Sequence, residues 1–279
     1  MVIVDDASTD NTFDIAEQLQ KENIKKIVLI HHNENTGVGG AIADGYKWCR
    51  DNGIDIAAVM AGDAQMDPTE LINLIQPVAA NEADYAKGNR LIMGDAWKNI
   101  PHVRFVGNAI LSIMTKISSG YWKISDSQCG YTVINKKALH TIDWDRMYKS
   151  YGQPNDLLVW LNIFSFRVVD VPVKPIYGIG EKSGIKPILI IPKLLVLLTK
   201  LFFLRMKEKY IIRDFHPLVF FYFTSFILFA LNILLIFRFF IRWRNTGVVP
   251  EITALAILFC TSIGFQLLFS AMVFDENHK

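Results

Sequence analysis

Cysteine is scarce in this chain. Cys49, Cys129 and Cys260 lie far apart, with no two at Cys-x-x-Cys spacing. That excludes a disulfide framework and a thiolate zinc site, and fits a reducing compartment. A dominant charge is also lacking. The 29 Lys and Arg nearly balance the 27 Asp and Glu, for a net charge of +2, so nucleic acid is not a bulk electrostatic partner. No leader pattern opens the sequence: Met1 runs straight into Val2-Ile3-Val4, which reads as a strand. A dinucleotide fingerprint fails at one residue. In Gly37-Val38-Gly39-Gly40-Ala41-Ile42, isoleucine stands where GxGxxG needs its last glycine. Gly40 is then expected to let a helix pack closely on a sheet. A poised general-base histidine is missing too: His31 and His32 lie at a strand end, and His216 opens a long apolar run.

What is present centres on Ile56 to Pro68. A short apolar run, Ile56 to Met60, stops at Gly62-Asp63. Its length and bounds suit a buried strand of a parallel sheet. A helix is expected next, with Asp67 as N-cap, Pro68 at its first position and Glu70 three residues past the cap. Asp63 and Gln65 are thereby left at the C-terminal end of a strand, where open α/β sheets bind ligands. An acid and an amide two residues apart can share one hard cation through oxygen. Asp63 taken alone is equally a turn residue.

Around this centre, strands alternate with helices. Strands are expected at Val2 to Val4, Ile27 to Ile30, Ala83 to Ala86, Thr132 to Ile134 and Arg167 to Val173. Ser8 or Asp10 is expected to cap the first helix, with Ile15, Ala16 and Leu19 inward. Asn35 to Ala41 is expected to lead into a helix ending near Gly53, and further helices are expected from Pro68 to about Ala80, from about His102 to Ser118 and from Pro154-Asn155-Asp156 onward. This alternation implies an α/β layered domain. Pro172 and Pro175 mark the last strand as an edge, or as ending.

Beyond the polar loop Gly178 to Gly184 the character changes. Lys186, Lys193, Lys200 and Lys207 recur every seven residues, which on a helix places them on one face among Ile, Leu, Val and Phe. Such a helix fits the membrane surface better than a span interrupted by lysines and Pro192. Leu218 to Phe237 and Ile252 to Phe274 are uncharged runs, each long enough at about 1.5 Å per residue to cross a hydrocarbon core of about 30 Å. Together they predict a hairpin. Arg205, Lys207, Lys209 and Arg213 precede it, against Arg238, Arg242 and Arg244 in the expected connecting loop. That difference favours a cytoplasmic N-terminal domain. The expected domains are 1–185, 186–213 and 214–279.

Four segments now carry a resemblance: Val4-Asp5-Asp6-Ala7-Ser8-Thr9-Asp10, Asn35-Thr36-Gly37-Val38-Gly39, Gly62-Asp63-Ala64-Gln65-Met66-Asp67-Pro68 and Gln128-Cys129-Gly130. In this order they resemble family 2 glycosyltransferases of the GT-A fold. The membrane helices resemble the polyprenyl-phosphate branch, which includes dolichyl-phosphate mannosyltransferases. The resemblance implies a GT-A-like Rossmann-type domain, an interfacial amphipathic helix and a two-helix transmembrane hairpin. It implies inverting transfer of a sugar from a nucleotide diphospho-sugar to an undecaprenyl or dolichyl phosphate, with Mg²⁺ or Mn²⁺, in cell-envelope glycan synthesis.

The resemblance also assigns roles. Asp5, Asp6, Gly37 and Gly39 fall on the nucleotide side. Asp63 and Gln65 match metal and diphosphate ligands, and Arg90 a cation near the acceptor phosphate. Asp126, Gln128, Gly130 and Asp156 fall on the sugar or acceptor side, with Lys182 and Ser183 in a loop that closes over the substrates. The acceptor is already an anion, so no general base is required. Asp156 is either a base or a helix-entry residue. Arg104 could join Arg90 and Lys182 in steering the acceptor.

Two departures stand out. Ala61 occupies the place where the family's metal motif usually carries an acid, so coordination leans on substrate oxygens and water. The family also begins with a strand and a Pro-x-x-Asn-Glu-like loop before the Val-Asp-Asp stretch. The expectation is that this chain is a gene fragment or has a mis-called start, and that restoring an upstream in-frame segment would raise its stability and activity. Two alternatives stay open. One is a processive polysaccharide synthase, although the Gln-x-x-Arg-Trp segment of such enzymes is absent after Asp156. The other is an inactive, membrane-anchored binding subunit. A homo-oligomer is left open.

Overall fold

Short apolar runs separated by amphipathic segments produce alternating strands and helices. The computed structural model describes residues 1–92, 102–174, 176 and 187–277. They form two units, Met1–Arg205 and Met206–Lys279. The first unit runs β1 (Val2–Asp5), α1 (Thr12–Glu22), β2 (Val28–His31), α2 (Val38–Asp51), β3 (Ile56–Val59) and α3 (Leu71–Ala79). It continues with β4 (Tyr85–Asn89), α4 (His102–Ser119), β5 (Thr132–Asn135), α5 (Lys136–Thr141), α6 (Gln153–Ile163), β6 (Val168–Pro172) and α7 (Pro187–Lys207). The expectations on Lys182 and Ser183, and on the side chain of Arg104, lie outside the described residues.

β1 and β2 pair in parallel, from Val2 opposite Val28 to Asp5 opposite His31. The second sheet has the order β3-β5-β4-β6. β5 is antiparallel to both neighbours, whereas β6 runs parallel to β4, with Lys87 opposite Asp170. Side chains alternate across this sheet, as the strand period requires. Tyr85 and Ile134 join a core with Tyr46, Leu139, Trp144 and Leu157, while Ala86 and Val133 join another with Leu74, Val78 and Tyr131. Each fully buried Leu or Ile contributes about 1.5–3 kcal/mol relative to exposure.

Several expectations change. β3 is an edge strand antiparallel to β5, not a buried strand of a parallel sheet, and Ala58 is exposed. An apolar run does not reveal its partner's direction, and β5 returns between β3 and β4. β3 also ends at Val59, so Asp63 sits in the following loop rather than at the strand end. Asp67 does cap, accepting the Thr69 N–H at 2.8 Å. The helix, however, begins as a 3₁₀ turn, Pro68–Glu70, and Glu70 accepts the Lys174 N–H instead of closing a capping box.

On α1, Ala16 is buried but Ile15 and Leu19 are exposed. The β1–β2 sheet beside it is two strands wide among the described residues and cannot cover the whole apolar stripe. Asn11 holds the N-cap position without a side-chain bond, while Asp10 accepts the Thr12 N–H at 3.0 Å. α5 was not expected; Asn135 caps it through the Ala138 N–H at 2.9 Å. β6 is an edge strand that ends at Pro172, as its prolines predict.

α7 runs through Pro192 without a break. Leu194, Leu198, Leu201 and Phe202 are buried, and Lys193, Lys200 and Lys207 are exposed. Arg205 is wholly buried and donates from Nε to Ser118 O at 2.8 Å and from Nη2 to Ile117 O at 3.1 Å. These carbonyls close α4, which is where a cation is favoured.

The second unit holds a π-helical turn, Glu208–Arg213, then α8 (Leu218–Thr246) and α9 (Glu251–Asn277). Both long helices are apolar enough to cross a membrane. They pair through Ser225 Oγ donating to Gly264 O at 2.8 Å and Asn232 Nδ2 donating to Thr261 Oγ1 at 2.6 Å. Arg238, Arg242 and Arg244 lie on the last turns of α8 rather than in a loop, because the helix continues to a left-handed Gly247 cap.

Candidate active site

Two groups of the expected residues come together, in different places. The first surrounds Asp5 and Asp6 at the end of β1. Asp5 is buried, with its Oδ2 2.7 Å from His31 Nδ1. Hydrogen bonding from Ser8, opposed by burial and helped by His31, holds its carboxyl below the usual range. Asp6 is saturated. It meets His32 Nδ1 at 2.8 Å, accepts the Thr36 N–H and Oγ1 at 2.8 Å each, and accepts the Gly37 N–H at 2.8 Å. Burial works to raise its pKa, but these donors outweigh it and the net shift is downward. Asp6 therefore builds the loop into α2.

Gly37 and Gly39 explain that loop. Gly37 has φ +83°, which disfavours any side chain. A Cβ on Gly37 would collide with Lys149 O, and one on Gly39 with Tyr148 O. Gly39 N–H donates to Lys149 O at 3.0 Å. A Cβ on Gly40 would meet the Thr36 side chain of the preceding loop, not the sheet on which the helix was expected to pack closely.

The second group forms a cleft. Gln65, Arg90 and Gly130 line it with Met66, Asp67, Glu70, Cys129, Tyr131, Val173 and Lys174. The Gln65 loop is held by Tyr131 Oη donating to Asp67 O at 3.0 Å and by Asp63 accepting the Gln65 N–H at 3.1 Å. Between them, Ala64 has φ +59°. Asp63 is exposed on this loop. It makes the turn contact expected of an isolated Asp there, and it presents a carboxylate beside the Gln65 amide. No cluster of three or more His, Cys, Asp or Glu exists among the described residues. The oxygen donors of Asp63 and Gln65 still fit a Mg²⁺-like ion, which keeps several waters and takes phosphate ligands.

Arg90 enters the cleft already engaged. Its N–H, Nε and Nη2 donate to the Asp126 carboxylate at 2.9, 2.8 and 2.9 Å. Asp126 is wholly buried at φ +44°. Burial pushes its pKa up, but the Arg90 hydrogen bonds and charge outweigh this and hold it low. Asp126 is thus turned to Arg90 rather than to open space. Gln128 Nε2 lies 3.3 Å from Asn155 Oδ1, which also accepts Thr115 Oγ1 at 2.8 Å. Asp156 is buried and accepts the Tyr148 N–H at 2.7 Å. Of its two expected readings, this contact is the helix-entry one.

Sequence reasoning missed Lys174, a cation lining the cleft, and Asn155, which holds Gln128. Nothing in their spacing marked them. It also missed Lys87 and Asp170. The expected strand, Ala83 to Ala86, stopped one residue short of Lys87, which the structure shows inside a strand whose every residue is buried.

Comparison with known proteins follows this geometry. Residues 1–143 match the profile described as "Glycosyl transferase family 2". A UDP-N-acetylglucosamine--dolichyl-phosphate N-acetylglucosaminyltransferase of Methanococcus voltae is 33% identical over 188 residues, covering 63% of this chain and 74% of the relative. A polyprenol monophosphomannose synthase of Mycolicibacterium smegmatis is 30% identical over 189 residues, covering 66% and 70%. Among solved structures, glucosyl-3-phosphoglycerate synthase from Mycobacterium tuberculosis, in complex with Mn²⁺, UDP-glucose and phosphoglyceric acid, superposes with TM-score 0.46 at 14% identity, covering 73% of this chain and 67% of that one.

Proposed function

The chain belongs to glycosyltransferase family 2, and from that premise we propose that it moves a sugar from a nucleotide diphospho-sugar to a polyprenyl phosphate at the cytoplasmic face of a membrane. One observation carries the reading. A cleft that presents Gln65, Arg90 and Lys174 occurs in a chain that also has two helices long and apolar enough to cross a membrane. The relatives named above as dolichyl-phosphate and polyprenol transferases support the same acceptor class.

In this reading Asp63 and Gln65 hold a divalent ion. The ion supplies positive charge to the leaving diphosphate. Asp5 lies at the nucleotide side, where its buried carboxylate is kept ionised, and Asp6, Gly37 and Gly39 shape the loop beside it. Arg90 and Lys174 orient the acceptor phosphate. Arg90 presents a guanidinium whose direction Asp126 has set, so little ordering remains to be done when an anion arrives. Gln128 and Gly130 border the sugar. Asp156 is given no role as a base in this reading, because a phosphate acceptor is already an anion; its carboxylate holds the Tyr148 N–H. The exposed lysines of α7, with Leu194, Leu198 and Leu201 buried and Leu195, Val196 and Phe203 exposed beside them, support a place at lipid headgroups.

The test uses the purified full-length chain in lipid nanodiscs containing undecaprenyl or dolichyl phosphate. UDP- and GDP-linked radiolabelled sugars are offered in turn with Mg²⁺ or Mn²⁺. Label extracted into organic solvent as a polyprenyl-linked sugar is expected for one donor. Release of free sugar alone, or no turnover with any pair, would overturn the acceptor assignment.

A further inference from the structure

Lys87 is a cation of the first unit that the reading above leaves without work. Its side chain is wholly buried, on β4, all of whose residues are buried. It donates from Nζ to Ser125 O at 2.8 Å and Asp126 O at 2.6 Å, and lies 3.5 Å from Asp170 Oδ1. Asp170 is its register partner on the parallel neighbour β6. Asp170 Oδ2 in turn accepts the Ser125 N–H at 2.6 Å and Asn89 Nδ2 at 2.5 Å. Both backbone groups of Ser125 are therefore held by one lysine–aspartate pair across two strands.

The next residue, Asp126, has φ +44° and no exposure. A non-glycine residue persists in that conformation only where its surroundings over-determine it. Here Lys87 takes its carbonyl, and Arg90 takes both oxygens of its carboxylate.

We infer that Lys87 is a positioning residue for the acceptor side of the cleft: paired with Asp170 it fixes the Ser125–Gly130 loop, and through Asp126 in that loop it aims Arg90. The inference rests on the proposed role of Arg90 toward a polyprenyl phosphate. It adds a cause for that role. Lys87 and Asp170 are buried and balance each other, so their charges hold the loop, and Arg90 is the member of the network that reaches the cleft. Removing Lys87 alone leaves Asp170 buried beside no cation, which is destabilising. Removing both charges keeps the balance but deletes the clamp on the Ser125 and Asp126 carbonyls.

The test is the double variant Lys87→Met with Asp170→Asn, beside Lys87→Met alone, in the full-length protein in nanodiscs. Three quantities are read: KM for polyprenyl phosphate, Kd for the nucleotide-sugar, and amide hydrogen exchange of peptides spanning residues 125–130. The double variant is expected to melt above Lys87→Met alone, because no buried charge is left unpaired. Its acceptor KM is expected to rise on the order of tenfold to a hundredfold, with the donor Kd within about twofold and exchange of the loop accelerated. Lys87→Met alone is expected to melt lower. A rise in donor Kd equal to that in acceptor KM would make Lys87 merely structural and overturn the inference. So would an unchanged acceptor KM. If the wild type transfers to no polyprenyl phosphate, the acceptor reading fails by itself. The exchange arm then decides the positioning: accelerated exchange confined to residues 125–130 in the double variant supports it, and unchanged exchange overturns it.

Discussion

The carboxylate of Asp156 accepts the backbone N–H of Tyr148 at 2.7 Å, and so ties the start of α6 to the loop on which Gly37 and Gly39 pack. Burial pushes this carboxyl up to about 6, against the helping hydrogen bond. A carboxyl raised in the folded state binds its proton there more tightly than in the unfolded chain. Its term therefore favours folding at low pH and is lost as pH rises from about 4 through about 6. Asp156→Asn is expected to keep the Tyr148 contact through its amide oxygen and to lose this term. Its melting temperature should gain on the wild type between pH 4 and pH 7, by up to about 3 kcal/mol of stability. Parallel melting curves at both pH values would show that Asp156 does not titrate in that window.

Asp63→Asn is expected to abolish sugar transfer while leaving the melting temperature within about 1 °C, because Asp63 is exposed and its hydrogen bond among the described residues is the local turn contact with Gln65. Turnover with Mg²⁺ and with Mn²⁺ measures it. Near-normal activity would remove Asp63 from the metal site.

Asp67→Ala is expected to act on stability instead, costing about 1 kcal/mol through the lost cap on Thr69. Chemical denaturation reads this directly. A large activity loss at unchanged midpoint would instead give Asp67 a role in the cleft it lines.

Gly39→Ala is expected to destabilise the first unit by about 1–3 kcal/mol, since the added methyl collides with the Tyr148 carbonyl, which is backbone and cannot swing aside. Gly62→Ala meets nothing within 4 Å and serves as the control. Equal midpoints for the two variants would mean that the Tyr148–Lys149 loop yields easily.

Cysteines replacing Lys193 and Lys200, both exposed on α7, are expected to react with a membrane-impermeant maleimide added from the cytoplasmic side. Protection from both sides would place α7 within the hydrocarbon. Reaction from the opposite side only would reverse the orientation.

Much of this protein was legible without coordinates, for a physical reason in each case. Strand and helix periods follow from backbone geometry, so β1, α2, β5 and α6 fell close to their expected positions. Asp67 caps because Pro68 fixes the turn after it, and Pro172 ends β6 because proline cannot donate to a ladder. Uncharged runs of span length needed no partner to be recognised, and motif order pointed to the family. Tertiary structure alone decided the partners. No spacing announces that β5 runs back beside β3, or that Arg205 closes the end of α4. Nor does spacing announce that the Asp126 carboxylate meets Arg90, or that four donors surround Asp6. Lys87 and Asp170 lie 83 residues apart in sequence and meet only because β4 and β6 are parallel neighbours in register. Local chemistry is written along the chain, whereas the partner of a buried charge is set by the packing that excludes water around it.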